Sequence, residues 1–272
     1  MTSRPRLLSC AAFLAGLALA PAWAETVHVR YSVTLLGLPM GTAGYTATLT
    51  PTSYRVDGNA KLTGLANLVA NSKGAAASSG TIAGARVLPA AYANTATNPE
   101  TTRTVRMGLS AGNVTAIDIT PPFEDKPGRV PLTEASKRGI VDPLSAIVMA
   151  VPAGQPLIGP ASCDRTIPIF DGYTRFNVSL SYVGTREVKT KGYAGPVVVC
   201  AVRYTPIAGH RPQRAATKFM TDNKRLEAWL APVESARILL PFRVSVATQV
   251  GTTVIEAQEF VIEGAPGKAA AQ

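Results

Sequence analysis

Val27-His28-Val29-Arg30-Tyr31-Ser32-Val33-Thr34-Leu35 alternates apolar and polar residues without a break. A strict period of two predicts a strand with one buried and one wet face. The next two segments repeat the pattern. Ala43, Tyr45, Ala47 and Leu49 alternate with Thr42, Gly44, Thr46 and Thr48. Tyr54, Val56, Gly58 and Ala60 alternate with Arg55, Asp57, Asn59 and Lys61. The links, Gly37 to Gly41 and Pro51-Thr52-Ser53, are short, and short links join antiparallel neighbours. The chain therefore opens as a meander and not as a βαβ unit.

Working outward, further strands are predicted near 74–83, 86–95, 103–110 and 113–119. Over 175–183, Phe176, Val178, Leu180 and Tyr182 share one face. The run 197–204 is almost continuously apolar, as in a strand buried on both sides. Strands near 226–231, 240–249 and 253–262 close the chain. Helices are few. Asp142 is a good N-cap and Pro143 suits a first helical position, so a helix is expected from Pro143 to Val151. Leu144, Ile147, Val148 and Val151 form its apolar stripe, and Pro152 ends it. Shorter helices are expected near Leu62–Asn71 and from Gln213 to Asp222. The segment 120–140 carries Pro121, Pro122, Pro127 and Pro131 and reads as an ordered loop or a linker.

The first 24 residues have the form of a secretory signal peptide. Arg4 and Arg6 precede an apolar run from Leu7 to Leu19, and Ala22-Trp23-Ala24 places small residues before a cleavage point at Glu25. Cys10 sits ahead of most of the apolar run, the wrong place for lipid attachment. No later stretch reaches the ~18 apolar residues of a membrane-spanning helix. The expectation is a periplasmic protein with one β-rich domain over 25–263 and a flexible tail over 264–272. The signal carries two of the 27 basic residues and none of the 17 acidic ones, which leaves a net charge of +8. That balance suits an anionic partner, for example an anionic membrane surface. Two cysteines remain, Cys163 and Cys200. In an oxidising compartment they are expected to pair, a bridge worth roughly 3–4 kcal/mol over that span.

No catalytic set emerges. The two histidines, His28 and His210, have no ligand partner at metal-site spacing, so no metal is expected. Ser-x-x-Lys is absent, and Gly154 and Gly159 are followed by Pro160-Ala161 instead of the Lys-Ser/Thr of a phosphate loop. No cofactor is expected. Asp142 reads as a helix cap and Asp171-Gly172 as a hairpin turn. Basic residues concentrate at Arg203, Arg211, Arg214, Lys218, Lys224 and Arg225 against only Asp222. Tyr204 and Phe219 are too few for a nucleic-acid groove, so Arg211, Arg214 and Lys218 are read as anion-facing and nucleic acid is not expected as a partner.

Several motifs together carry a resemblance. They are Val141-Asp142-Pro143-Leu144-Ser145-Ala146, Cys163, Phe170-Asp171-Gly172 with Arg175, Tyr193-x-Gly195, Cys200 and Pro206-Ile207-x-Gly209-His210. Leu36-Gly37-Leu38-Pro39-Met40-Gly41 and Trp229-Leu230-Ala231-Pro232 with Leu240-Pro241 add to them. The chain resembles, over about 25–262, an exported proteobacterial family known as domain of unknown function 3108. The resemblance implies a strongly curved, open antiparallel sheet with helices on the concave side, a shape similar to periplasmic lipid and lipoprotein carriers. It implies no activity and no catalytic residues. Tyr173-Thr174 departs from the family, whose members often place a further basic residue there.

The expected fold is mainly β: a curved, open, half-barrel-like antiparallel sheet with two or three short helices on its concave side. The leading functional expectation is a non-enzymatic protein that binds a lipid or other apolar small molecule, or supports envelope biogenesis. Tyr31, Tyr45 and Tyr54 would face the ligand from the meander, and Leu144, Ile147 and Val148 would form a lid. Small residues at Ala43, Ala47, Gly58 and Ala60 would leave room for it. The alternatives are an envelope interaction protein with a filled core, and an enzyme built around Asp171 and His210.

Overall fold

The computed structural model describes residues 24–264 except Asp125. The expected signal peptide up to Trp23 and the expected tail from 265 lie outside the described residues. The chain forms β1 (Glu25–Leu35), β2 (Leu38–Leu49), β3 (Ser53–Leu62), α1 (Gly64–Ala70), β4 (Lys73–Ala83), β5 (Arg86–Thr97), β6 (Thr102–Ser110) and β7 (Asn113–Thr120). A long connection then leads to β8 (Met149–Ala150) and β9 (Arg165–Phe170). β10 (Arg175–Thr190), β11 (Tyr193–Ala208), α2 (Ala215–Asp222), β12 (Leu226–Val233), β13 (Ile238–Thr248) and β14 (Gly251–Glu263) complete it.

All strands but β8 lie in the order β7-β6-β5-β4-β3-β2-β1-β14-β13-β12-β11-β10-β9, and β8 pairs with β13, making a 14-stranded sheet. The first and last strands of the domain are neighbours. Thr26 lies opposite Glu263 and Leu35 opposite Thr253, so two meanders meet at the β1–β14 seam. The sheet is open, with β7 and β9 as its edges. It folds over on itself. Val27, Val29, Leu49, Tyr54 and Val56 of the first meander pack in one apolar cluster with Val197, Val233, Ile238, Leu240 and Phe260 of the second.

The two edges are tied together by residues 139–142. Ile140 N–H donates to Gly112 O in the β6–β7 turn, while Val141 N–H donates to Pro168 O and Val141 O accepts from Phe170 N–H in β9. Pro168 is tolerated because its nitrogen faces this outer edge and β10 loses no hydrogen bond. Further along the same border, Arg103, Phe123, Tyr173 and Arg129 stack in that order. Arg103 lies 4.1 Å from the Phe123 centroid, the two rings are 3.7 Å apart, and Arg129 lies 3.5 Å from the Tyr173 centroid.

The expected helix over Pro143–Val151 is corrected to a single 3-10 turn, Ser145–Ile147, followed by β8. Val148 turns extended because Met149 and Ala150 find Leu239 and Ile238 of β13, and Val151 N–H donates to Arg237 O. Partners on a sheet outweigh an isolated helix of so few residues. The inner face is thus covered by this strip. α1 lies at the β3–β4 end beside β2, and α2 packs by β11 with no buried residue. β9 was not expected, because Pro168 interrupts its pattern. Cys163 and Cys200 form a disulfide with Cα atoms 5.5 Å apart and a sequence separation of 37, pinning the loop before β9 onto β11. Among the described residues no helix is long and apolar enough to cross a membrane.

Candidate functional site

Within the strip from Gly139 to Val151, the turn at Asp142–Ser145 is held by one buried side chain. Asp142 is fully buried. Its Oδ1 accepts from the backbone N–H of Leu144 (3.0 Å) and Ser145 (2.9 Å). Its Oδ2 accepts from the hydroxyl of Ser145 and from that of Ser78 in β4, at 3.0 Å. Ser145 Oγ lies 2.7 Å from Ser78 Oγ and 2.6 Å from the Tyr54 hydroxyl. Asp142 therefore caps a turn, as its sequence position suggests, and also holds that turn to β3 and β4. Burial pushes its carboxyl above the usual carboxylate range, against the pull of the four donors. Burial likewise pushes the Tyr54 hydroxyl up to about 12.

On one side of the strip lies the packed core. Leu144, Ile147 and Val148 do meet the row of Tyr31, Tyr45 and Tyr54. The meeting is close: Leu144 Cδ1 would touch a Cβ placed on Gly58, and the Tyr31 hydroxyl donates to Pro241 O. Burial raises the hydroxyl pKa of both Tyr31 and Tyr45. Of the small residues expected to leave room, Ala47 is buried in this cluster, whereas Ala60 is exposed.

A space of about 860 Å³ borders Tyr31 and Tyr45 together with the exposed polar residues Arg30, Asp57, Asn59 and Lys61, and a further pocket lies on the other side of the strip. A pocket of about 420 Å³ is lined by Val87 and Leu88 from β5, Ile140, Val148 and Met149 from the strip, and Ile167 from β9, among others. Val148 alone of the six residues expected to face a ligand borders it. Its charged lining is Arg86, Asp164 and Arg165. Arg165 Nη1 donates to Ala150 O at 3.1 Å, while its Nε is buried with no hydrogen-bond partner. Desolvation pulls its pKa below the usual arginine value, and no acidic group lies within ion-pair distance among the described residues. A guanidinium so placed can receive a carboxylate or phosphate oxygen.

The other candidates stand apart from this pocket. Asp171 Oδ1 accepts from the N–H of Tyr173 (2.8 Å) and Thr174 (2.6 Å), and Oδ2 from the Thr174 hydroxyl, so it shapes the β9–β10 turn. His210 pairs through its backbone with Val130 and makes no hydrogen bond to Asp171 among the described residues. Arg214 and Lys218 are exposed and Arg211 half-buried around the start of α2. No cluster of three metal-ligating side chains occurs among the described residues. Sequence reasoning missed Arg165 and Ser78. Arg165 sits in an unrecognised strand, and Ser78 falls in a small-residue run, Ala75-Ala76-Ala77-Ser78-Ser79, with no periodic signal.

Residues 30–258 match the family described as "Protein of unknown function (DUF3108)". No curated protein matches the chain. Among solved structures, it is similar to a beta-barrel-like protein of domain of unknown function DUF1849 from Brucella abortus, at 9% identity. The TM-score is 0.50, over 89% of this chain and 98% of that one. At that identity the likeness concerns the fold alone.

Proposed function

This chain belongs to the family of proteins of unknown function DUF3108, and on that footing we propose that it is a periplasmic, non-enzymatic binding protein. Its ligand is a small amphipathic acid: an apolar body with a carboxylate or phosphate head. The observation that carries this reading is Arg165, half-buried in the pocket wall, with one guanidinium nitrogen unpartnered and no ion-pair partner among the described residues. A guanidinium in a partly desolvated wall without a counter-charge is unfavourable, and an anionic head would pair with its remaining N–H groups. A volume of about 420 Å³ falls among ordinary ligand pockets. The signal-like leader and the disulfide support the compartment.

A displacement titration with a fluorescent fatty acid tests the proposal. Wild type should show saturable displacement, and Arg165→Gln should weaken it about 10- to 100-fold, the worth of a charge-assisted hydrogen bond. Equal binding by the two proteins, or no saturable signal, would remove the pocket from consideration. The filled inner row beside Tyr31, Tyr45 and Tyr54 favours a second reading, an envelope interaction protein, and that reading would then stand first.

A further inference from the structure

The end of the sheet far from the pocket carries a feature that ligand binding does not use. Leu36 and Leu38 in the β1–β2 hairpin are 66% and 67% exposed, and Val250 in the β13–β14 turn is 71% exposed. They are the most exposed large apolar side chains among the described residues. The two turns are joined: Leu36 N–H donates to Thr252 O at 3.0 Å, and the Leu36 side chain covers Gly251. Leu36 (φ 53°) and Gly37 (φ 81°) both adopt the left-handed conformation of a two-residue hairpin. That conformation favours Asn, Asp or Gly at its first position. Local geometry therefore does not account for leucine at the tip, and neither does the core.

The surroundings are basic. Arg225 O accepts from Ala247 N–H, one residue before the β13 end, which places exposed Lys224 and Arg225 beside the Val250 turn. On the other flank, Thr63 N–H donates to Met40 O, and exposed Lys61 and Lys73 lie directly opposite each other across β3 and β4. A like-charge cross-strand pair is unfavourable without a counter-charge. None of these four cations has an acidic partner within 4.0 Å among the described residues. We propose that this end docks on an anionic lipid surface, with Leu36, Leu38 and Val250 entering the headgroup layer and Lys61, Lys73, Lys224 and Arg225 facing lipid phosphates. Apolar tips ringed by unpaired cations match a surface that is negative outside and apolar beneath. The inference is independent of the pocket.

Vesicle flotation of the full protein tests it, without any fatty-acid probe. Binding to phosphatidylglycerol vesicles should be clear at about 50 mM salt, weaken strongly at about 500 mM, and be absent with phosphatidylcholine. The double variant Leu36→Asn with Val250→Asn should lose flotation at least about tenfold. Its melting temperature should hold, because Asn suits the Leu36 backbone. Lys224→Gln with Arg225→Gln should weaken flotation about tenfold and flatten the salt response. Absence of flotation at low salt, equal flotation on neutral vesicles, or full flotation of the Asn double variant would each overturn the proposal.

Discussion

At the scale of single residues, Asp142 is the position on which the inner strip depends. Asp142→Ala would strand two backbone donors and two hydroxyls in a dry interior, a loss of roughly 2–4 kcal/mol. Chemical denaturation measures it, and a loss below about 1 kcal/mol would reduce Asp142 to an ordinary helix-type cap. Burial raises the carboxyl above its usual value, so the folded protein holds that proton to higher pH than the unfolded chain. The stability this group contributes is complete below the ordinary carboxylate range and is lost as pH rises through the folded-state value. Asparagine has no charge to desolvate. The melting temperature of Asp142→Asn should therefore gain on wild type as pH rises out of the acid range, and parallel pH profiles would contradict the assignment. The disulfide is the other residue-scale tie. Replacing Cys163 and Cys200 together by Ser should lower stability by about 3–4 kcal/mol, and unreduced wild type should give no thiol labelling.

At the scale of elements, the border between the two sheet edges sets what the molecule can hold. The stack of Arg103, Phe123, Tyr173 and Arg129 joins the loop after β7 to the β9–β10 turn. Tyr173→Ala removes an aromatic pair and a cation–π contact together and should lower stability by about 1–2 kcal/mol. A thermal melt that leaves it unchanged would show the stack to be incidental. The same border explains what the sequence made legible. The alternation at Val27–Tyr31 and Tyr54–Val56 records burial on one face, so those strands were readable. Leu144, Ile147 and Val148 pack beside the inner row, but helical spacing cannot reveal that Met149 and Ala150 find partners on β13, about 90 residues away. β9 escaped because Pro168 is acceptable only at an edge, and edges are a property of the assembled sheet. Tyr173 owes its place to Phe123 in a proline-rich loop without periodic pattern.

At the scale of the whole molecule, one open sheet folds over until its edges nearly meet, and the strip from Gly139 to Val151 divides the interior. One side is a close-packed core holding the tyrosines that the sequence placed near a ligand. The other is the pocket holding Arg165, which no local pattern distinguishes. The position of the strip separates a filled interior from an open one, and it depends on Asp142, Ser78 and Tyr54 coming together from three parts of the chain. The apolar, cationic sheet end lies away from that pocket, so binding and docking can be tested separately. The central claim is that the Arg165 pocket takes an acidic amphipathic molecule. Native mass spectrometry of protein released from its own cell envelope tests it most directly. Wild type should carry a small acidic amphipathic molecule that organic extraction removes, and Arg165→Gln prepared in the same way should arrive without it. A wild-type protein that is bare under these conditions, or an Arg165→Gln protein carrying the same load, would contradict the account.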